Sequence, residues 1–227
     1  MRSVQYFIIN LLLVSSLLSC RQEEVNIQWG HEYFGWEEGK YVTYEVTEIF
    51  HDINLIPAND TFRYLLKTVI GEDIMDNEGR MAKKYFRFSY DINTNELLDQ
   101  RVWTTLIDGR RGEVVEENQR KIRLVFAPTI DKVWDVNAFN AFPRQRAFYT
   151  DLHISRNIDN LFFDSTITVD YDDFLSLVDY RRKFDIYAKD VGLVQRSFKD
   201  LRINNFDTLD IRQGTETHYR VIDYGVE

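Results

Sequence analysis

The sequence predicts an all-β domain, an antiparallel meander closing into a barrel, half-barrel or sandwich, behind a cleaved signal peptide. Three observations carry this expectation. Apolar and polar residues alternate with period two in segment after segment, as in strands with one buried and one wet face. Clusters of Asp, Asn and Gly separate these segments. Aromatic residues make up 15% of the chain, a composition suited to pleated surfaces. No extended helical periodicity intervenes, which argues against a parallel sheet with crossover helices.

In chain order, Val42, Tyr44 and Val46 alternate with Thr43, Glu45 and Thr47; Phe62, Tyr64 and Leu66 with Arg63 and Lys67; Phe86, Phe88 and Tyr90 with Arg87 and Ser89. The pattern resumes with Ile122, Leu124 and Phe126 against Lys121 and Arg123, then Ile167, Val169 and Tyr171 against Thr166, Thr168 and Asp170, then Phe184, Ile186 and Ala188 against Lys183 and Asp185. Turn signals lie at 76–79, 91–95, 108–109 and 190–192. A barrel or sandwich over residues 40–224 then puts Val42, Tyr44, Val46, Phe86, Phe88, Leu124, Phe126, Ile167 and Val169 in one interior, with Thr43, Glu45, Arg87, Arg123 and Thr168 facing outward. Asp172–Leu177 is the one stretch read as a short helix.

The N-terminus has a different character. One arginine precedes an apolar run from Tyr6 to Leu18, the n- and h-regions of a secretory signal. That run is shorter than the ~20 residues a membrane-spanning helix needs. It ends in Leu17-Leu18-Ser19-Cys20, which resembles the lipobox of bacterial lipoproteins, although Leu18 is bulkier than the usual occupant. The resemblance implies cleavage before Cys20, a diacylglycerol on its sulfur and an acylated amine, enough acyl chain for stable anchoring. Cys20 is the sole cysteine, so no intramolecular disulfide forms. The expected organisation is a signal peptide at 1–19, a lipidated tether at 20–32 and a single antiparallel β domain at 33–227.

The chain carries a net charge of −9. This disfavours nucleic acid, whose binders need a basic face, and keeps a tethered domain off anionic headgroups. The Glu23-Glu24 pair behind the cysteine resembles a surface-export tag of Bacteroidetes lipoproteins, so the periplasm and the cell surface both stand as destinations at the outer membrane. Tyr33–Val46 and Tyr187–Val194 resemble the opening and a late hairpin of uncharacterised Bacteroidetes lipoproteins. That resemblance implies a lipocalin-like or lipoprotein-carrier-like barrel with no assigned chemistry.

Candidate chemistry is sparse. His31, His51, His153 and His218 have no zinc-site spacing, so neither a metal nor a cofactor is expected. No Gly-x-Ser-x-Gly elbow or phosphate loop occurs. Asp91-x-Asn93-x-Asn95 begins like a calcium loop but has Glu96 where glycine belongs and Val102 at the bidentate position. The segment Trp134–Pro143 breaks the strand rhythm, and Trp134, Asn137, Phe139 and Asn140 form a candidate binding loop. The alternative is that its rings plug a barrel end while its amides satisfy backbone groups. Ser165 and Thr208 sit in Asp-Ser/Thr sequences resembling Bacteroidetes O-glycosylation acceptors. The function expected is a non-enzymatic binding or accessory module, meeting an envelope protein partner or, alternatively, carrying an apolar ligand in the barrel. A glycan- or cell-wall-active enzyme is the third reading. A lumen packed by Phe86, Phe88, Leu124 and Phe126 would leave no room for a ligand.

Overall fold

The computed structural model describes residues 28–171 and 173–227. The expected signal peptide, Cys20, Glu23 and Glu24 lie outside the described residues. After a 3-10 turn at His31–Tyr33, the strands are Lys40–Asp52 (β1), Asn59–Met75 (β2), Met81–Asp91 (β3), Leu97–Asp108 (β4), Arg111–Glu116 (β5), Gln119–Val125 (β6), Val133–Asp135 (β7), Arg146–Ile158 (β8), Leu161–Tyr171 (β9), Phe174–Leu175 (β10), Asp179–Ala188 (β11), Gly192–Asn204 (β12) and Asp207–Val226 (β13). They form one antiparallel sheet in the order β6-β5-β4-β3-β2-β1-β13-β12-β11-β9-β8-β7, with β10 paired to β11. Most neighbours are joined by hairpins, so the sheet is a meander. The exception is β13, which returns beside β1 over the whole length of that strand.

The sheet curls into a nearly closed barrel whose open seam lies between β6 and β7. Side chains and single backbone bonds bridge it: the Ile122 amide donates to the Val136 carbonyl at 3.0 Å, and Trp134 Nε1 donates to the Ile122 carbonyl at 3.2 Å. The Tyr149 hydroxyl bonds both the amide and the carbonyl of Val125, at 3.1 and 2.8 Å. Leu124, Phe126, Trp134, Tyr149, Ile167 and Val169 pack as the core beside this seam. Val42, Tyr44, Val46, Leu66 and Val221 belong to a second cluster under β1, β2 and β13. The tip of the β8–β9 hairpin adds Ile158 and Phe163 to that cluster, with the Phe163 ring 5.6 Å from Tyr224 and Asp159 paired to Arg220 at 3.1 Å.

The residues before β1 close one end of the barrel. Tyr33 is buried, its hydroxyl 2.6 Å from both His153 Nδ1 and Ser165 Oγ. Phe34 follows and lies over Gly112, where a β-carbon would come within 2.8 Å of the ring. Gly35 has φ +60° and passes so close to Val191 that a β-carbon would sit 2.4 Å from its carbonyl oxygen. Only glycine takes both that conformation and that contact cheaply. Residues 29–32, placed in the tether by sequence, also pack here: His31 stacks edge-on against Phe126 at 4.2 Å, and Trp29 accepts the Ala127 amide at 2.6 Å.

The interior differs from the sequence expectation in three places. Arg87 pairs across the sheet with Thr68, and Thr68 with Val42, so Arg87 faces the lumen while Phe86 and Phe88, opposite Val69 and Lys67, face outward. The Phe86 ring covers Gly71, whose missing side chain leaves it space. Arg123 also lines the lumen, because a bulge opposite Gly112 and Glu113 gives β6 one extra residue and breaks the alternation. Thr168 opposes Ile186, on the other face from Val169 as expected, yet it is buried beneath Asp151 and Arg156. The short helix expected at Asp172–Leu177 is instead extended: Phe174 and Leu175 pair with Arg181 and Tyr180.

Candidate functional site

The barrel lumen holds a cluster of charged residues contributed by five strands. Asp185, at the centre of β11, is fully buried. Arg196 on the adjacent β12 grips it with two bonds of 2.8 Å, from Nε and Nη2. The Tyr171 hydroxyl donates to the same carboxylate at 2.8 Å and Tyr187 at 3.4 Å. On the other side, Glu116 of β5 accepts from Arg123 and, at 2.8 Å, from Lys121. Burial opposes ionisation of Glu116, but the neighbouring Arg123 and Lys121 hold its carboxyl well below the usual range. A carboxylate held ionised in this way serves as a counter-ion and is poorly suited to donating protons.

The phenols behave in the opposite sense. Burial pushes those of Tyr44, Tyr171 and Tyr187 well above their ordinary value. They therefore remain protonated donors, Tyr44 to the Leu193 carbonyl at 2.7 Å. Arg87 is placed differently from the other lumen cations. Its guanidinium stacks 4.0 Å from the Trp103 ring and donates to the Tyr219 hydroxyl at 3.3 Å. Glu116 acts on it only from beyond ion-pair range.

Between these groups remains a cavity of about 70 Å³, walled by Val42, Ile70, Val114, Tyr85, Trp103 and Arg87 among others. Phe34, Gly35, Val191 and Gly192 bound it at the plugged end. Towards the other end, Arg87 and Trp103 also line a larger vestibule of about 440 Å³, whose rim includes the exposed Leu98, Asp99 and Arg101. The lumen is thus a cup: closed by the segment that leads into β1, and reached from the far side past an arginine–tryptophan stack.

The candidate loop at 134–143 lies away from this cup. Trp134 is in the seam core. The Asn137 amide donates to the Pro143 carbonyl at 2.7 Å, and Asn140 Nδ2 donates to the Arg120 carbonyl at 2.7 Å and to Asn137 Oδ1 at 3.0 Å. Phe139 lies under Arg111 and Arg120, with ring-centroid distances of 4.6 and 5.6 Å. Each polar side chain is thus engaged in holding the loop together. Ser165 is tied to the Tyr33 hydroxyl inside the plug, whereas Thr208 is half-buried near the β12–β13 tip. The described residues hold no cluster of three or more metal-ligating side chains.

The lumen cluster itself is absent from the sequence reading. Its members are scattered from Arg87 to Arg196, and some of them carry a local signal, a lone charge between apolar neighbours, as in Phe86-Arg87-Phe88 and Phe184-Asp185-Ile186, whereas Arg196 lies between Gln195 and Ser197.

No family model matches the chain, and no curated protein does. Among solved structures, the chain is similar to a Bacteroides fragilis protein described as exported and as having a YmcC-like fold, at 9% identity and a TM-score of 0.46, covering 84% of this chain and 98% of the other. It is also similar to a protein of Parabacteroides distasonis described as a lipoprotein, at 9% identity and a TM-score of 0.43, with 85% and 98% covered.

Proposed function

We propose that this chain is a lipid-anchored lipoprotein of the outer membrane whose barrel is a non-enzymatic binding module with its ligand site in the lumen. What supports the binding half is one observation: a cavity of about 70 Å³ inside a barrel closed at the end where the N-terminal segment enters. What supports the anchored half is the signal-like segment ending at Cys20. With Cys20 as the anchor, the plugged end faces the bilayer and the vestibule opens into the aqueous phase.

The lumen suits a compact ligand with a polar group better than a long acyl chain, because ionised Glu116 and three arginines would have to be buried against methylenes. Glu23 and Glu24 are read as directing the domain to the cell surface. Thr208, near an exposed hairpin tip, is the more accessible of the two glycosylation candidates.

Two measurements test this reading. Cys20→Ala should abolish incorporation of labelled fatty acid and release the domain from the membrane fraction, and retained label would refute the anchor. Native mass spectrometry of the intact mature protein in detergent should reveal a bound small molecule or saturable uptake from a small-molecule panel. A lumen that takes up nothing refutes the binding module.

A further inference from the structure

We propose that the lumen site is specific for a small monocarboxylate, bound through its carboxylate to Arg87. The inference rests on the reading of the lumen as a binding site and adds the chemical class of the ligand.

The charged residues lining the inner cavity are Lys40, Arg87, Glu116, Arg123 and Arg196. Lys40 is paired with Glu37 at 2.8 Å, Arg123 with Glu116, and Arg196 with Asp185 at 2.8 Å. Arg87 is the remaining cation, and among the described residues no carboxylate lies within ion-pair distance of it. Its contacts are an aromatic face and a phenol. A phenol offers a guanidinium a weaker acceptor than a carboxylate does. A cation drawn into a lumen of this kind costs free energy unless an anion accompanies it.

The geometry also selects the anion. Arg87 is half-buried and lines both the vestibule and the inner cavity. An anion arriving through the vestibule can therefore meet the planar guanidinium and engage it with two parallel bonds. Within the inner cavity Arg87 is the one cation without a paired carboxylate, so a single negative charge balances that wall, while Glu48, which accepts from the Tyr64 hydroxyl at 2.9 Å, lines the vestibule outside it. Beyond Arg87 the wall becomes apolar at Val42, Ile70 and Val114. A short hydrocarbon body fits against that wall, and the volume of about 70 Å³ restricts it to a few carbons. A phosphate would bring excess charge and no apolar surface.

The probes are propionate, its neutral isostere propionamide, and inorganic phosphate, titrated by calorimetry into the intact mature protein in detergent. Propionate should bind saturably, and propionamide and phosphate should bind about 10- to 100-fold more weakly, the worth of charge-assisted hydrogen bonds. Arg87→Met should weaken propionate by a similar factor while keeping the melting temperature of the ligand-free protein at or above that of the parent, because it removes an uncompensated cation. Arg87→Lys retains the charge and should keep weakened propionate binding, a pattern that mere structural damage would not give. Equal affinity for propionate and propionamide, or propionate binding unaffected by Arg87→Met, overturns the carboxylate assignment while leaving the lumen as a binding site. Preference for phosphate does the same. Failure of every probe, together with an empty native mass spectrum, overturns both the assignment and the reading on which it rests.

Discussion

Replacing Asp185 with alanine removes the acceptor for two bonds of 2.8 Å from Arg196 and one of 2.8 Å from Tyr171, at a fully buried position. The attraction lost is less important than what stays behind. Arg196 is left charged in the lumen, packed over the Phe198 and Tyr219 rings at 4.6 and 5.4 Å with no anion in contact. Breaking one side of such a pair costs about 3–5 kcal/mol, a large fraction of ordinary domain stability. For a chain of this size each kcal/mol moves the midpoint by about 2–4 °C, so melting should fall by about 6–20 °C. Removing both partners, as Asp185→Leu with Arg196→Met, should restore most of the loss, because no charge is then stranded. The assay is thermal and urea unfolding followed by near-ultraviolet circular dichroism, with both single variants and the double variant completing a cycle. A double variant as unstable as the sum of the singles, or an Asp185→Ala loss below about 1 kcal/mol, would refute the view that stranded charge dominates.

The remaining predictions concern the register and pH. Leu124→Ala, in the seam core, should cost about 2–5 kcal/mol in urea unfolding, while Phe88→Ala on the half-buried outer face should cost about 1 kcal/mol; equal losses would return Phe88 to the interior. Because Arg123 and Lys121 hold the Glu116 carboxyl below its ordinary value of about 4.3, the stability it contributes is fully present above that value and is lost as pH falls below it. A series of urea midpoints from neutral pH to about pH 3 should therefore fall more steeply for the parent than for Glu116→Gln, and parallel curves would exclude this carboxylate as the source.

The fold was legible because most of its strands have one dry and one wet face. Val42, Tyr44 and Val46 announce β1 and its buried side, and Ile167 and Val169 do the same for β9. Period two, however, yields two phases, and hydrophobicity chooses between them only when the lumen is the drier side. At β3 it is not: the lumen receives Arg87, and the outer face receives Phe86 and Phe88, stacked at 6.1 Å. The same polarity inversion hid the candidate site, since Asp185 and Arg196 look like solvent-facing residues until the strands are paired. At Arg123 the obstacle was a bulge, which changes the count of residues without leaving a mark in the alternation. The Trp134–Pro143 segment was visible as an irregular loop, but the partners of its amides, Arg120 and Pro143, are set by tertiary structure alone.

That loop and the seam it covers bear on how the molecule behaves in a crowd. A barrel that stops short of ladder closure exposes the flank of β6, and such a flank is a template on which a strand from another molecule can add. Here its backbone groups are already occupied: the Arg120 carbonyl by Asn140, the Ile122 amide by Val136, the Ile122 carbonyl by Trp134, and both groups of Val125 by Tyr149. The opposite flank is β7, only three residues long. Residues that looked like a recognition loop thus work as a selvedge, finishing the cut edge of the sheet so that it neither frays nor knits to its neighbours, and aggregation by strand addition is blocked without the barrel ever having to close.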